Sequence, residues 1–404
     1  MKLSKGEELA RRVRGNELKY LNEVLDSDFR SSSGSVMMRR LEEAFAKRFG
    51  TKYAISFVNG TATMHAALEA WQIGPGDEVI VPPLTMSATT FAVLQANATP
   101  VFADVDPETF QISAKSIEER ISSRTKAIIT VALYGLSPDM DPIVALAKRH
   151  GLRLMEDDAQ CFLGTYKDRL VGTLGDCASF SFQSSKHMTS GEGGMLVTDD
   201  LQFAESVRKI QSLGYAGVSA TKGKITKRDI QDPGYSRHVT VGWNYRLAEL
   251  CAAVALAQLE NLDELVRHRV EAAALYREAA APYPWLKPQR VDAEYGNSYW
   301  TWVALLDRDD IGWHEFRDRY VSFGGDGIYA AWQLTYLEPM FANLSLLGRE
   351  QFISEDNKRL YKKGLCPVAE RIQPRLLQFK TNYWDLDHAR AQAEILTKTL
   401  RSFG

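Results

Sequence analysis

Between about residues 51 and 200 the chain alternates two hydrophobic patterns. Short runs apolar at nearly every position predict buried strands at 54–57, 78–82, 100–103, 126–133, 152–156, 178–183 and 194–198. Amphipathic stretches between them predict helices over 61–71, 87–96, 114–121 and 141–150. The first of these ends at the turn Gly74-Pro75-Gly76-Asp77. Strands with both faces apolar, separated by helices, predict an α/β fold built on a mostly parallel sheet sandwiched by helices. Right-handed crossovers then gather the strand C-termini along one edge, where open sheets bind ligands.

The rhythm breaks at 216–238, a long polar stretch carrying Lys222, Lys224, Lys227 and Arg228. Loops of that length are commonly functional. A helical pattern then runs over 247–280, with Leu250, Val254, Ala257, Leu262, Val266 and Val270 on its apolar positions. Such a helix bridges two lobes, and Pro282-Tyr283-Pro284 marks its end. A strand-like run at 299–306 and a helical pattern at 311–323 predict a smaller α+β C-terminal domain. The expected division is a large domain over 1–275, including a helical N-terminal segment, and a small domain over 276–404. Internal repeats and low-complexity segments are absent from the sequence.

Composition narrows the function. The 404 residues are 45% hydrophobic and 25% charged, enough for a large core without disulfides or metals. Lys and Arg number 49 against 51 Asp and Glu, a net charge of −2. That balance gives no global attraction to nucleic acid or anionic membrane, so an acidic substrate must be bound locally. The cysteines Cys161, Cys177, Cys251 and Cys366 share no CxxC spacing and read as reduced thiols of a cytoplasmic protein. The N-terminus lacks a signal-peptide core, and no apolar run approaches the roughly 18 residues of a membrane span.

Three constellations carry chemistry. Asn59-Gly60-Thr61-Ala62 lies between a strand and a helix. Helix N-terminal amides attract phosphate, and Gly60 lets the backbone approach; the same residues also make an ordinary Asn-Gly turn and N-cap. Glu156-Asp157-Asp158-Ala159-Gln160 ends a strand at the ligand edge. An Asp buried beside a pyridinium stays ionised by pairing with it, and the protonated ring serves as an electron sink; a loop acid or helix cap is the plainer alternative. Ser179 to Lys186 leads into Gly191-Glu192-Gly193-Gly194. A Lys desolvated in a pocket has a lowered pKa and condenses with carbonyls, although loops also carry lysines without function. Lying on successive strand ends of one sheet, the three would converge as phosphate cradle, pyridinium partner and amine, which is what pyridoxal 5′-phosphate requires.

At these residues the chain resembles the DegT/DnrJ/EryC1/StrS sugar aminotransferases, of pyridoxal-phosphate fold type I. The family's SGTAAL is NGTATM at 59–64, its GDEVIVP is unchanged at 76–82, and its EDAAQ is EDDAQ at 156–160. Its SFHPTKN…GEGG is SFQSSKH…GEGG from Ser181, and its GYNYRM is GWNYRL at 242–247. The resemblance spans most of the chain. It implies that Lys186 holds the cofactor as a Schiff base and shuttles the proton between substrate Cα and cofactor C4′. It implies further that Asp157 pairs with the pyridine nitrogen and Gln160 bonds the phenolic oxygen, while Gly60, Thr61 and Ser181 bind the phosphate. Asn244 would reach the phosphate of the neighbouring subunit's cofactor, making a homodimer with active sites at the interface. No metal is implied. The expected reaction carries an amino group from glutamate or glutamine to a keto-sugar, nucleotide-linked in the first reading and a cyclitol ketone in the second.

Departures bear on this. Met86 stands where the family usually stacks an aromatic residue on the cofactor ring; a thioether can also pack on a ring face. The segment 366–383 departs from the family's usual ending, in a region that often lines the substrate pocket. His187 follows the Lys. A family subgroup has His in place of the Lys and removes a sugar hydroxyl; with Lys186 retained, transfer is favoured over dehydration and His187 reads as structural. A non-catalytic regulator on the same fold is disfavoured by the joint presence of Lys186, Asp157 and Gln160.

Overall fold

The computed structural model describes residues 12, 13, 15–29, 34–221 and 227–404. Among these residues fourteen strands follow in chain order. The first five are β1 (Tyr53–Phe57), β2 (Glu78–Val81), β3 (Thr99–Phe102), β4 (Thr125–Val131) and β5 (Arg153–Asp157). A short hairpin, β6 (Thr165–Tyr166) and β7 (Arg169–Leu170), precedes β8 (Cys177–Ser181) and β9 (Gly194–Thr198). The C-terminal part holds β10 (Leu286–Pro288), β11 (Tyr295–Gly296), β12 (Thr301–Leu306), β13 (Tyr329–Ala330) and β14 (Leu376–Lys380).

The main sheet has the order β1-β9-β8-β5-β4-β2-β3. Every strand is parallel except β9, which runs antiparallel between β1 and β8. The ends of β1 and β8 are therefore not neighbours, as successive strand ends would be, but flank an intervening strand. Apolar runs become strands here because each side of the pleat has its own core. Val79 and Val81 of β2, Ile129 of β4 and Met155 of β5 enter one cluster. Their alternates Ile80, Ile128 and Leu154 enter another, below the helices Ala114–Arg120 and Met140–His150. At the other end, Phe45, Phe49, Phe162, Phe180 and Phe182 fill a third, against the helices Met37–Phe49 and Glu249–Glu260.

The expected single helix over 247–280 is two, Glu249–Glu260 and Leu262–Ala280. Asn261 leaves the helical conformation at φ −107°, and its side-chain amide donates to the Ala257 carbonyl at 3.0 Å. An Asn side chain competes for backbone partners in this way and turns the chain. Within the polar stretch 216–238 a short helix forms at Lys227–Gln231; Lys222 and Lys224 lie outside the described residues.

A second, antiparallel sheet of order β10-β12-β14-β13 packs against the helices Leu262–Ala280, Trp313–Ser322 and Leu386–Arg401. Residues 331–372 leave it and return to the main core, where Leu334, Tyr336, Phe341 and Ile372 are buried. Asp104 fastens this return by accepting the amides of Val368 and Ala369, both at 2.9 Å. No described helix is long and apolar enough to cross a membrane.

Candidate active site

The ends of β1, β5 and β8 open on one cavity of about 440 Å³, a size that suits a small molecule. Beyond β1, the helix Gly60–Ala70 is capped by Asn59, whose Oδ1 accepts the Ala62 amide at 2.8 Å. The cap leaves the amides of Gly60 and Thr61, both cavity-lining residues, as donors for an anion. A Cβ on residue 60 would stand 3.1 Å from the Ser181 Cβ, so glycine permits the helix to start this close to β8. Ser181, at the end of β8, lines the same space.

Asp157 ends β5, and its side chain is buried. Oδ2 accepts from the Thr89 hydroxyl at 2.7 Å and Oδ1 from the Ala159 amide at 3.2 Å. Burial pushes its pKa up, while those two bonds and the charge of Lys186 act against the rise. Gln160 also lines the cavity; its Oε1 accepts the Tyr134 amide at 2.9 Å, leaving the amide nitrogen to donate to a ligand. Met86 lines the wall and is half exposed. Asn244 is exposed and bridged to Ser212, and the cavity of its own chain does not include it.

Lys186 lies in the turn after β8 with its amine in the cavity, 4.7 Å from the centroid of the Trp300 ring. Burial lowers its pKa to about 8; Asp157 opposes this and Arg269 reinforces it. Two arginines grip the backbone of the turn. Arg269, from the helix Leu262–Ala280, donates to the carbonyls of Ser185 at 2.8 Å, Lys186 at 3.0 Å and Trp300 at 2.7 Å. Arg12 donates to the carbonyls of Ser184 at 2.6 Å, His187 at 2.9 Å and Lys186. Burial lowers both guanidiniums, Arg269 to about 9 and Arg12 to about 10. The Trp300 indole adds a bond to the Ser185 carbonyl at 3.0 Å.

Trp300, Trp332, Arg269, Arg12 and Thr89 escape a motif-based reading. The tryptophans stack with ring centroids 5.7 Å apart and both line the cavity, yet neither lies near a glycine-rich or acidic signature. None of residues 366–383 lines it; that segment instead supplies Thr381, which donates from behind to the Trp300 carbonyl at 2.9 Å. His187 is buried with Nε2 2.9 Å from the Ser298 carbonyl and its ring against Phe162, and it does not line the cavity. Burial drives its pKa well down, so it is a neutral packing residue.

A family model, the DegT/DnrJ/EryC1/StrS aminotransferases, matches residues 12–345. The chain belongs to that family. It is 42% identical over 273 residues to the GDP-perosamine synthase of Caulobacter vibrioides, covering 67% of this chain and 69% of that one. The fold is similar to the aminotransferase from Psychrobacter cryohalolentis, with a TM-score of 0.85, 28% identity and 96% of each chain covered. It is also similar to S. venezuelae DesV in complex with a ketimine intermediate, with a TM-score of 0.79, 29% identity and 96% and 94% covered. The protein is accordingly a pyridoxal-phosphate-dependent aminotransferase, on the large-domain fold that the pattern of strands predicts.

The residues fit that cofactor. A helix start with two amides to give would suit its phosphate, and a buried amine would suit its aldehyde. Its ring nitrogen would suit the buried carboxylate of Asp157, whose hydrogen bonds among the described residues come from neutral donors, so that a pyridinium would add an opposite charge beside that of Lys186. Among the described residues no cluster of His, Cys, Asp or Glu is placed to hold a metal.

Proposed function

We propose that the protein moves an amino group from glutamate or glutamine to the carbonyl of a nucleotide-linked keto-sugar, working as a homodimer in the cytoplasm. With glutamate, the amino acid leaves as 2-oxoglutarate and the ketone leaves as an amino-sugar. One observation carries the reading: a desolvated amine, Lys186, and a buried carboxylate, Asp157, share one cavity with an anion-binding helix start. Pyridoxal phosphate, when bound, supplies an electron sink for the pair released as the donor's Cα–H bond breaks. Lys186, near neutrality, takes that proton at Nζ and would pass it to the cofactor's C4′; when the ketone is aminated it would carry a proton the opposite way, from C4′ to the acceptor carbon. Asp157 keeps the ring nitrogen protonated, Gln160 donates to the ring oxygen, and Gly60, Thr61 and Ser181 hold the phosphate.

The sugar acceptor is supported by the likeness to a GDP-perosamine synthase. A second copy is supported by the exposed segment 239–244, which leads to the bridge of Arg246 with Phe57 at the end of β1. Val239, Val241 and Trp243 are exposed there, Val241 to 85%, immediately before exposed Asn244. Apolar side chains massed on one surface mark a protein contact, and docking of a copy would give Asn244 a cofactor phosphate to bind.

Purified protein should be yellow, and glutamate or glutamine should shift its spectrum. Lys186→Ala should fold and lose transamination, and normal turnover by that variant would refute the mechanism. A panel of keto-sugar nucleotides and inososes, followed by formation of 2-oxoglutarate from glutamate, identifies the acceptor; turnover of inososes alone replaces the nucleotide sugar with a cyclitol.

A further inference from the structure

Two tryptophans form part of the cavity wall, and their places in it differ. Trp300 is committed to the catalytic turn: its indole bonds the Ser185 carbonyl and its ring lies under the Lys186 amine. Trp332 is the next ring in the stack, 18° from parallel, half-buried and lining the same cavity. Its backbone is fixed on both sides. The Ala331 carbonyl accepts from the Gln373 side chain at 3.1 Å, and the Thr335 amide donates to the Pro83 carbonyl, also at 3.1 Å. Trp332 is thus an aromatic surface held in place before anything binds.

We propose that Trp332, backed by Trp300, is the platform against which the sugar ring of the acceptor packs. The inference rests on the keto-sugar reading above and assigns the residue that recognises the sugar. A pyranose presents C–H groups on its ring faces and hydroxyls at its rim. The face of an indole is apolar and electron-rich, so it attracts the C–H groups and leaves the hydroxyls to water or polar neighbours. A tryptophan already ordered loses little conformational freedom on contact, which favours binding. Amino-acid donors offer no such face, so Trp332 separates the two half-reactions: it serves the acceptor and contributes little to the donor.

The test uses holoenzyme first treated with glutamate, which leaves no aldehyde to react with a sugar amine. Binding of GDP-perosamine and of GDP is then measured by titration calorimetry, in wild type, Trp332→Ala and Trp332→Phe. Trp332→Ala should weaken GDP-perosamine by at least about tenfold and GDP by a much smaller factor, with Trp332→Phe recovering most of the loss. In steady state the acceptor KM should rise by a larger factor than the glutamate KM. Equal loss for GDP and GDP-perosamine, no loss for either, or a loss of pyridoxal phosphate affinity larger than the loss for the sugar overturns the proposal; the last result makes Trp332 a cofactor contact. If only the Trp332 variants behave unexpectedly, the aminotransferase reading stands. If wild type neither binds GDP-perosamine nor turns over keto-sugar nucleotides, both fall.

Discussion

Asp158 offers a stability test of the electrostatics around the site. The family pattern EDAAQ has alanine where this chain has Asp158, between Asp157 and Ala159. Its side chain is 1% exposed, and Oδ2 has no hydrogen-bond partner among the described residues. Burial, then the charges of Glu156 and Asp157, raise its pKa well above the usual carboxylate range. The sign follows from linkage. Below about pH 3.9 the group is protonated whether the chain is folded or not, and it costs nothing through ionisation. As pH rises, the unfolded chain releases the proton while the folded chain keeps it, so stability falls by about 1.4 kcal/mol for each unit by which the folded value exceeds the unfolded one. Asp158→Ala removes that cost and an unpartnered polar atom worth about 1–3 kcal/mol. It leaves a carboxyl-sized void of roughly 25 Å³, costing about 0.6 kcal/mol. The variant should therefore be more stable than wild type by at least about 1 kcal/mol at pH 8, with a smaller gain at pH 5. For 404 residues the unfolding entropy is about 0.8 kcal/mol per degree, so the expected rise in Tm at pH 8 is above about 1 °C. Scanning calorimetry of the holoenzyme at both pH values measures it. A lower Tm at pH 8, or an equal gain at pH 5 and pH 8, refutes the reasoning.

Three other outcomes follow from the same geometry. Uptake of pyridoxal phosphate by apoprotein, followed by its absorbance, should quicken as pH rises with a midpoint near 8, because the amine of Lys186 is protonated and unreactive below that value. Arg269→Gln removes a positive charge that lowers the Lys186 pKa, so the midpoint should move upward and turnover at pH 7.5 should fall; an unmoved midpoint denies Arg269 that influence. Gly60→Ala pushes a Cβ against Ser181 at the helix start, and equilibrium dialysis should show pyridoxal phosphate bound at least about tenfold more weakly.

The main sheet was legible because its strands are buried on both faces, and the structure accounts for each apolar run by assigning alternate residues to different cores. Its strand order was not. β9 enters between β1 and β8 and breaks the row of parallel strand ends. A physical clue existed: parallel neighbours need a crossover, usually helical. The stretch 182–193 is a turn rich in Ser and Gly that carries Lys186, and it can only bring the chain straight back. The helix pair at 249–280 was hidden for the opposite reason, since the apolar periodicity continues past Asn261 while the backbone does not.

Motifs in the sequence mark two residues that line the cavity, Asp157 at the end of β5 and Lys186 in the turn after β8. What holds Lys186 comes from elsewhere in the chain. In the sequence, Arg269 is one of 49 basic residues on an amphipathic pattern that predicts a solvated face. In the structure it is 1% exposed, because its helix joins the core around Phe180 and Phe182 at its start and packs against β12 and β14 further along. One guanidinium thereby joins the Ser185 and Lys186 carbonyls to the Trp300 carbonyl, and Thr381 bonds the last of these as well. The division at residue 275 expected from the sequence would separate Lys186 and Arg269 from Trp300 and Thr381, which this arrangement joins. The turn that carries the amine is thus held by residues from both parts of the chain. Recognition of the acceptor by Trp332 and positioning of Lys186 by Trp300 then share one stacked pair of rings.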